Sequence, residues 1–195
     1  MTIFNYGAGN LFSIQAALRK EGAKPSVTKT GSGMKEADAL ILPGVGSFDQ
    51  AANSLPMEEI REVIRSGKPT LGICLGLQLF FGGSEEGRAK GLSLLKGRVR
   101  RLPPSVKVPQ IGWNTLNVER ENELVSGLDK EPWVYYVNSY YPETDGKWVV
   151  ATSDYGVRFP CLVAEKNFYG TQFHPEKSGA TGRTILQNFL KAAKK

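Results

Sequence analysis

The first half of the chain alternates short apolar segments with segments of helical periodicity, and this pattern constrains the fold more than any other feature. Apolar residues recur at helical spacing in 9–22 and in 57–67, and each of these segments ends at a glycine. Strands are predicted between and around them at "TIFNY" (2–6), "KPSVT" (24–28), "ADALILPG" (37–44) and "PTLGI" (69–73). Strands that alternate with helices predict a parallel sheet with helices on both faces.

The second half of the chain has a different character, because strand-like segments follow one another with little helix between them. They lie at 97–102, 112–118, 133–140, 148–155, 161–166 and 169–174, and a last helix is predicted over 181–193. We therefore expect an α/β fold with an open, mostly parallel central sheet, helices on both faces, and antiparallel strands added in the C-terminal half. A length of 195 residues predicts one domain spanning 1–195.

Composition and charge favour a cytoplasmic protein without a nucleic-acid or membrane partner. Hydrophobic residues make up 41% of the chain and charged residues 23%, as in soluble globular proteins. The start has no secretion-signal pattern, and the longest apolar run is too short to cross a bilayer. The net charge of +6 concentrates in "KGRVRRL" (96–102). Lys96, Arg98 and Arg100 would share one face of a strand, which favours a solvated charged face over a nucleic-acid surface.

The cysteines and the histidine do not have the spacing of a metal site. Cys74, Cys161 and His174 are the complete set, and they are widely separated in the sequence. Structural zinc needs three or four such ligands, usually in close pairs. We therefore predict no metal and no cofactor. Cys161 lies inside the predicted strand "RFPCLVAEK", which indicates a core position.

The segment "KPTLGICLGLQLFFGG" (68–83) joins a predicted strand to a predicted helix over 75–81 through a cysteine. This is the pattern of a nucleophile elbow, a sharp strand-to-helix turn that presents a nucleophile, here Cys74. Gly72 and Gly76 would let the strand and the helix approach closely, and the start of the helix would favour a thiolate. A small buried cysteine that only fills the core is the alternative at this point.

His174 lies in "YGTQFHPEK" (169–177), where its neighbours suit a catalytic base. A lone histidine is more often structural. Pro175 restricts His174 to an extended conformation, in which residues two apart point the same way, so Glu176 would face the same side. A carboxylate there would fix the imidazole tautomer and leave the other nitrogen free to take a proton from sulfur. Cys74 and His174 would both lie at carboxyl ends of strands, where open α/β sheets bind ligands.

The loop "LPGVGSF" (42–48) follows a predicted parallel strand and is rich in glycine. Backbone N–H groups of such a loop are suited to stabilising an oxyanion. The same kind of loop also cradles phosphate, but this one lacks the lysine and the Ser/Thr of a P-loop, so the phosphate interpretation is weaker.

With these residues in place, the chain resembles the class I (triad) glutamine amidotransferases, and within them the glutaminase subunits of imidazole glycerol phosphate synthase. The segments that carry the resemblance follow the family's order over almost the whole chain. They are "NYGAGNLFS" (5–13), "LPGVGSF" (42–48), "GICLGLQLF" (72–80), "PQIGWN" (109–114), "VNSYY" (137–141) and "QFHPEKSG" (172–179).

The resemblance implies a role for particular residues in a glutaminase site. It implies a catalytic triad of Cys74, His174 and Glu176. It implies that backbone groups of Gly44, Val45 and Leu75 stabilise the oxyanion. It also implies contacts to the glutamine substrate from Gly46, Gln78, Ser139 and Tyr140. One position departs from the family, since Asn138 stands where histidine is usual; it is not a triad member, so the departure concerns hydrogen bonding near the ammonia exit.

The resemblance also implies a reaction and a partner. Glutamine would be hydrolysed through a cysteinyl thioester to glutamate and ammonia, and the ammonia would pass to a cyclase subunit, a (βα)₈ barrel, in a heterodimer. The cyclase would use it in histidine biosynthesis to make imidazole glycerol phosphate and an aminoimidazole carboxamide ribotide. Matching positions place four residues against that partner: Asn10, Trp113, Tyr135 and Lys177. The two aromatic residues are equally compatible with core positions.

Other functions remain open on the sequence alone. One is a different triad glutaminase, such as the one that feeds pyridoxal phosphate synthesis. A second is a peptidase or other cysteine hydrolase on a related sheet. A third is a regulatory subunit that keeps the fold without catalysis, although the complete Cys–His–Glu set argues against it.

Overall fold

The computed structural model describes residues 1–7 and 9–194, so Ala8 of the "NYGAGN" segment lies outside the described residues. The helices are α1 (Leu11–Lys20), α2 (Gly31–Lys35), α3 (Phe48–Ser54), α4 (Met57–Arg65), α5 (Leu75–Gln78) and α6 (Gly179–Ala192). The strands are β1 (Thr2–Phe4), β2 (Ser26–Thr28), β3 (Leu40–Leu42), β4 (Thr70–Ile73), β5 (Arg98–Arg101), β6 (Gln110–Thr115), β7 (Asn117–Val118), β8 (Trp133–Asn138), β9 (Tyr140–Glu143), β10 (Val149–Asp154), β11 (Arg158–Glu165) and β12 (Phe168–Thr171).

The central sheet has a parallel half and an antiparallel half, which confirms the predicted fold class. Its strand order within the described residues is β2-β1-β3-β4-β12-β11-β10-β7. The strands β2, β1, β3, β4 and β12 run parallel, and β11, β10 and β7 continue the sheet in antiparallel pairs. Strand β12 from the end of the chain therefore lies beside β4 from the first half, with Thr171 paired to Ile73.

Helices cover both faces of this sheet because successive strand residues point to opposite sides. Ile3 and Ile41 pack with Ile14 and Leu18 of α1 and with buried residues of α6. On the other face, apolar residues of β1 and β3 pack with buried residues of α2, α3, α4 and α5. Each face thus has its own apolar core.

Several element boundaries differ from those predicted. The sequence signals did not predict α2 and α3, which are short and stand beside glycine-rich loops. The predicted helix over 75–81 ends at Gln78, and the strand predicted over 112–118 divides into β6 and β7. Not every C-terminal strand joins the central sheet, because β5 pairs with β9 and β6 with β8 in two separate ribbons.

The basic strand β5 forms the charged face that its sequence predicts. Arg100 contacts Glu85 at 2.6 Å and Glu143 at 2.7 Å, and Arg98 lies 3.8 Å from Glu85. Lys96 precedes the strand. Carboxylates therefore neutralise part of the positive charge. In the described ranges 1–7 and 9–194, no helix is both long and apolar enough to cross a membrane.

Candidate active site

Cys74 occupies a sharp turn between β4 and α5. Its backbone has φ +52° and ψ −104°, a conformation that L-residues rarely adopt and that stores strain at functional sites. Its N–H donates a hydrogen bond of 2.6 Å to the carbonyl of Thr171 at the end of β12. The turn is thus fixed to the neighbouring strand, as a nucleophile elbow requires.

The glycines around Cys74 are required by close packing of backbone on backbone. A Cβ at Gly76 would lie 2.0 Å from the carbonyl oxygen of Leu42, and one at Gly72 would lie 2.6 Å from the carbonyl group of Gly76. The loop 42–48 is equally close, because a Cβ at Gly44 would lie 2.4 Å from Cβ of Leu75. These approaches bring the predicted oxyanion donors of both segments to the elbow.

The helix that follows Cys74 is shorter than predicted, with four residues in α5. Cys74 does stand at the start of this helix, as predicted. A single turn aligns few peptide dipoles, so the effect of the helix start on the sulfur is expected to be small.

His174 and Glu176 form a buried pair beside the elbow. His174 Nδ1 lies 2.9 Å from Glu176 Oε1, and their side chains are 3% and 2% exposed. Pro175 does hold His174 extended, but residues 175–177 form a 3₁₀ turn, so a turn rather than an extended segment brings Glu176 to the ring. His174 lies three residues beyond the end of β12, whereas the sequence predicted it as the last residue of that strand.

The pKa of His174 depends on burial and on its two neighbours, Cys74 and Glu176. Burial alone would lower the pKa of His174, but hydrogen bonding to Cys74 and Glu176 and the charges of both raise it to about 10. Nε2 is buried and makes no ordinary hydrogen bond to any described residue. Since Glu176 occupies Nδ1, Nε2 is the nitrogen left for the sulfur.

Two further groups contact the Cys74 sulfur. Gln172 Nε2 lies 3.4 Å from Sγ, and the sulfur lies 3.8 Å from the carbonyl oxygen of Val137 on β8. The Cys74 residue as a whole is 6% exposed. The sulfur is therefore nearly enclosed, and its accessible side faces a cavity.

That cavity has a volume of about 270 Å³ and is bounded by the elbow, the 42–48 loop and the β8–β9 connection. It brings together most of the glutaminase-site residues that the resemblance implied: Val45, Gly46, Cys74, Leu75, Gln78, Ser139 and Tyr140. Gly44 packs against Leu75 of the elbow, His174 lies beside Cys74 and Glu176 contacts His174; these three residues are outside the lining. A cavity just below the usual range for drug-sized ligands fits a free amino acid.

Sequence reasoning missed three lining residues and the buried Gln172. Glu86, Pro109 and Val137 line the cavity, and Glu86 also accepts the N–H of Phe48 at 2.7 Å. Glu86 lies in a loop without helical or strand periodicity, so no local pattern marked it. Asn138, singled out as a departure from the family, lines the cavity and donates to the carbonyl of Tyr140 at 3.1 Å.

Two of the residues expected at a partner interface, Trp113 and Tyr135, meet on the β6–β8 ribbon. Trp113 on β6 is 53% exposed and meets Tyr135 of β8 edge to face, with ring centroids 5.7 Å apart. The core alternative for Trp113 is therefore wrong. Lys177 is exposed and forms no ion pair within the described ranges. Asn10 has a local role as well, because its side chain caps α1 by accepting the N–H of Ser13 at 3.1 Å.

Cys161 lies in the core, as its strand context predicts. It is 0% exposed on β11, and burial raises the pKa of its thiol to about 11. A buried thiol with so high a pKa is unreactive at neutral pH.

Comparison with known proteins shows the family of the chain. The family model for glutamine amidotransferase class-I matches residues 2–193. The chain is 49% identical to imidazole glycerol phosphate synthase subunit HisH of Archaeoglobus fulgidus, over all of both chains, and 46% identical to the HisH subunit of Methanosarcina mazei, over 97% of each. A solved structure titled a glutamine amidotransferase superimposes with a TM-score of 0.78 at 20% identity, covering 100% of this chain and 99% of the other.

Proposed function

Because the chain belongs to the class-I glutamine amidotransferases, in the family of imidazole glycerol phosphate synthase subunit HisH, we propose that it hydrolyses glutamine with Cys74, His174 and Glu176 and passes the ammonia to a cyclase subunit. Family membership makes it a glutamine-hydrolysing enzyme of histidine biosynthesis. The finer assignments are proposals: the triad, the oxyanion donors, the heterodimer, the channelling of ammonia, one domain over 1–195 and a cytoplasmic location.

The observation that carries this proposal is the enclosed Cys74–His174–Glu176 arrangement. The Cys74 sulfur attacks the side-chain amide carbon of glutamine, and a tetrahedral intermediate forms with its negative charge on oxygen. His174 then donates its proton to the leaving nitrogen, the C–N bond breaks and ammonia departs. Water, deprotonated by the now neutral His174, hydrolyses the thioester to glutamate and regenerates the thiol. Glu176 holds the ring orientation throughout, through Nδ1.

The backbone amides of Val45 and Leu75 are assigned to the oxyanion, with Gly44 allowing the loop to reach the elbow. This assignment is supported by the 2.4 Å that would separate a Cβ at Gly44 from Leu75. Val45 is 43% exposed and lines the cavity, so the Gly44–Val45 peptide lies at the cavity surface. We assign it as a gate that turns its N–H toward the oxyanion when the partner and its nucleotide are bound.

The amino-acid end of glutamine is assigned to the far wall of the cavity. Gly46, Gln78, Ser139 and Tyr140 provide polar backbone or side-chain groups there, as the resemblance implies. Glu86 supplies the carboxylate of this lining, which suits the α-ammonium of an amino acid. The size of the cavity, about 270 Å³, favours a single amino acid over an extended peptide.

The cyclase is assigned to the exposed face of the β6–β8 ribbon. Ile111, Trp113 and Trp133 are 63%, 53% and 49% exposed, and the register of the ribbon places Tyr135 and Val137 opposite Trp113 and Ile111. Exposed aromatic residues of this kind are enriched in the cores of protein interfaces. We assign Lys177 and Asn10 to the rim of this interface, where charged and polar groups set register and specificity.

The decisive experiment uses the chain purified with its cyclase. Cys74→Ala should abolish glutamine-dependent synthesis of imidazole glycerol phosphate, while added ammonium salt still supports it. Glutamine hydrolysis by Cys74→Ala above background would disprove the assignment of the nucleophile. Glutamine turnover measured with and without the cyclase and its nucleotide tests the gate, since equal rates would rule it out.

A further inference from the structure

Gln172 is a fully buried polar side chain that the proposed mechanism does not use. It is 0% exposed and lies between the cavity residue Gln78 and the Cys74 sulfur. Its backbone N–H is fixed to the carbonyl of Cys161 at 2.8 Å. The side chain is thus held between two groups of the site by a main chain that has no freedom to shift.

The hydrogen bonds around Gln172 have only one consistent direction. The Tyr140 carbonyl can only accept, so the Gln78 amide must turn its Nε2 toward it, at 3.1 Å. The same Nε2 lies 3.1 Å from the Gln172 side chain, which must therefore present Oε1. The remaining Gln172 atom, Nε2, then points at the Cys74 sulfur, 3.4 Å away. A backbone carbonyl thus settles an amide orientation that would otherwise be ambiguous.

We propose that Gln172 is a positioning residue that donates an N–H hydrogen bond to the Cys74 sulfur and thereby favours its thiolate form. The proposal rests on the proposed function, because it gives Gln172 a role at the nucleophile of that reaction. A donor that faces sulfur stabilises the thiolate more than the thiol, since a hydrogen bond to a charged acceptor is about twice as strong as a neutral one.

The other contacts of the sulfur show why such a donor is needed. The Val137 carbonyl, 3.8 Å from Sγ, accepts the S–H of a thiol but repels a thiolate. The short α5 adds little positive potential. His174 has to give up its proton to the leaving nitrogen during the reaction, so its charge is not constant. Gln172 is neutral and keeps its donor in place through every step.

The test measures the ionisation of Cys74 without any turnover. The rate at which iodoacetamide alkylates Cys74 in the full-length protein is followed from pH 5 to pH 10 by mass spectrometry of its peptide, because only the thiolate reacts. Gln172→Met, which is similar in length but lacks the N–H, should raise the midpoint by about one pH unit and slow alkylation about tenfold at pH values below the midpoint. Gln172→Glu, which keeps an acceptor for Gln78, should raise it further.

The matched control is Gln187→Met, the same change at a half-buried glutamine of α6 whose side chain donates to Glu21 instead of the sulfur, and it should leave the midpoint unchanged. A midpoint that is unmoved or lowered in folded Gln172 variants would overturn the proposal, even if glutaminase activity fell. If neither variant folds, the unaltered protein still provides a test. Its Gln172 side-chain amide resonances should shift through the Cys74 midpoint, and resonances that stay constant would overturn the proposal. Loss of the glutaminase assignment itself would appear separately, as glutamine hydrolysis retained by Cys74→Ala.

Discussion

The raised pKa of His174 can be separated into contributions from its two partners, because the chain has a single histidine. Its ring gives one set of NMR resonances, so a titration of the ¹⁵N-labelled protein needs no assignment. The changes to make are Cys74→Ala, which removes the sulfur, and Glu176→Gln, which keeps an acceptor for Nδ1 but removes the charge. Both leave the ring buried.

The expected magnitudes follow from the site. The pKa of His174 rises from 6.5 to about 10, which corresponds to a preference of about 5 kcal/mol for imidazolium. Burial opposes both partners, so their contributions sum to more than about 5 kcal/mol, and an equal division gives each about 2.5 kcal/mol or more. Each single variant should therefore lower the midpoint by about two pH units, with the larger fall in Cys74→Ala. With both changes, burial and one neutral hydrogen bond remain, and because burial is the largest effect the midpoint should fall below 6.5, the value for an unperturbed histidine.

The sign of the effect on stability is fixed by the same shift. Since folding raises the pKa of His174, its contribution to the free energy of unfolding is fully present below pH 6.5 and is lost as the pH rises to about 10. In the variants this loss should be complete at a lower pH. A midpoint unchanged in Cys74→Ala would refute the reasoning, because the sulfur would then not be interacting with the ring.

Three further changes test other parts of the structure. Gly76→Ala places a Cβ 2.0 Å from the Leu42 carbonyl oxygen and should lower the free energy of unfolding by about 2 kcal/mol or more in a urea melt. The control Gly83→Ala, with open space around it, should change that free energy by no more than about 0.5 kcal/mol. Equal effects of the two changes would contradict the packing argument. Trp113→Ala should weaken binding of the cyclase at least tenfold in calorimetry, as expected for an interface aromatic, with little change in melting temperature. Asn188→Leu removes donors to two backbone carbonyls and should lower the free energy of unfolding by about 2 kcal/mol; an unchanged melt would show that those carbonyls find other donors.

Local patterns predicted the parts of the site that local chemistry determines. The Gly-x-Cys-x-Gly turn and the His-Pro-Glu segment are each continuous in sequence, and the order of strands places their ends side by side on β4 and β12. The sequence did not predict the helices α2 and α3, where hydrophobic periodicity is weak. It also predicted a later end for α5, which stops at Gln78. A pattern search cannot detect such an early end, because the residues beyond it remain apolar.

The parts that the sequence did not predict depend on pairs of residues far apart in the chain. Glu86 reaches the cavity only through the folded loop, and Gln172 becomes significant only because Gln78, 94 positions earlier, fixes the direction of its amide. Glu86 has no distinctive neighbour in sequence, and the segment that contains Gln172 marks His174 and Glu176 but does not indicate a role for the Gln172 side chain. Which atoms of two distant residues donate and which accept a hydrogen bond is therefore known only from the folded structure.

The hydrogen bonds of Tyr135 join the exposed aromatic face to the imidazole. The backbone N–H of His174 donates to the Tyr135 carbonyl at 2.9 Å. The N–H of Tyr135 donates to the Ser178 hydroxyl at 2.9 Å, and that hydroxyl donates to the His174 carbonyl at 2.6 Å. The backbone that carries one aromatic of the face therefore also anchors both ends of the turn that holds His174. A protein bound to Trp113 and Tyr135 could therefore shift the His174 ring through the Tyr135 backbone. This link gives a physical reason for a glutaminase with this site to respond to its partner.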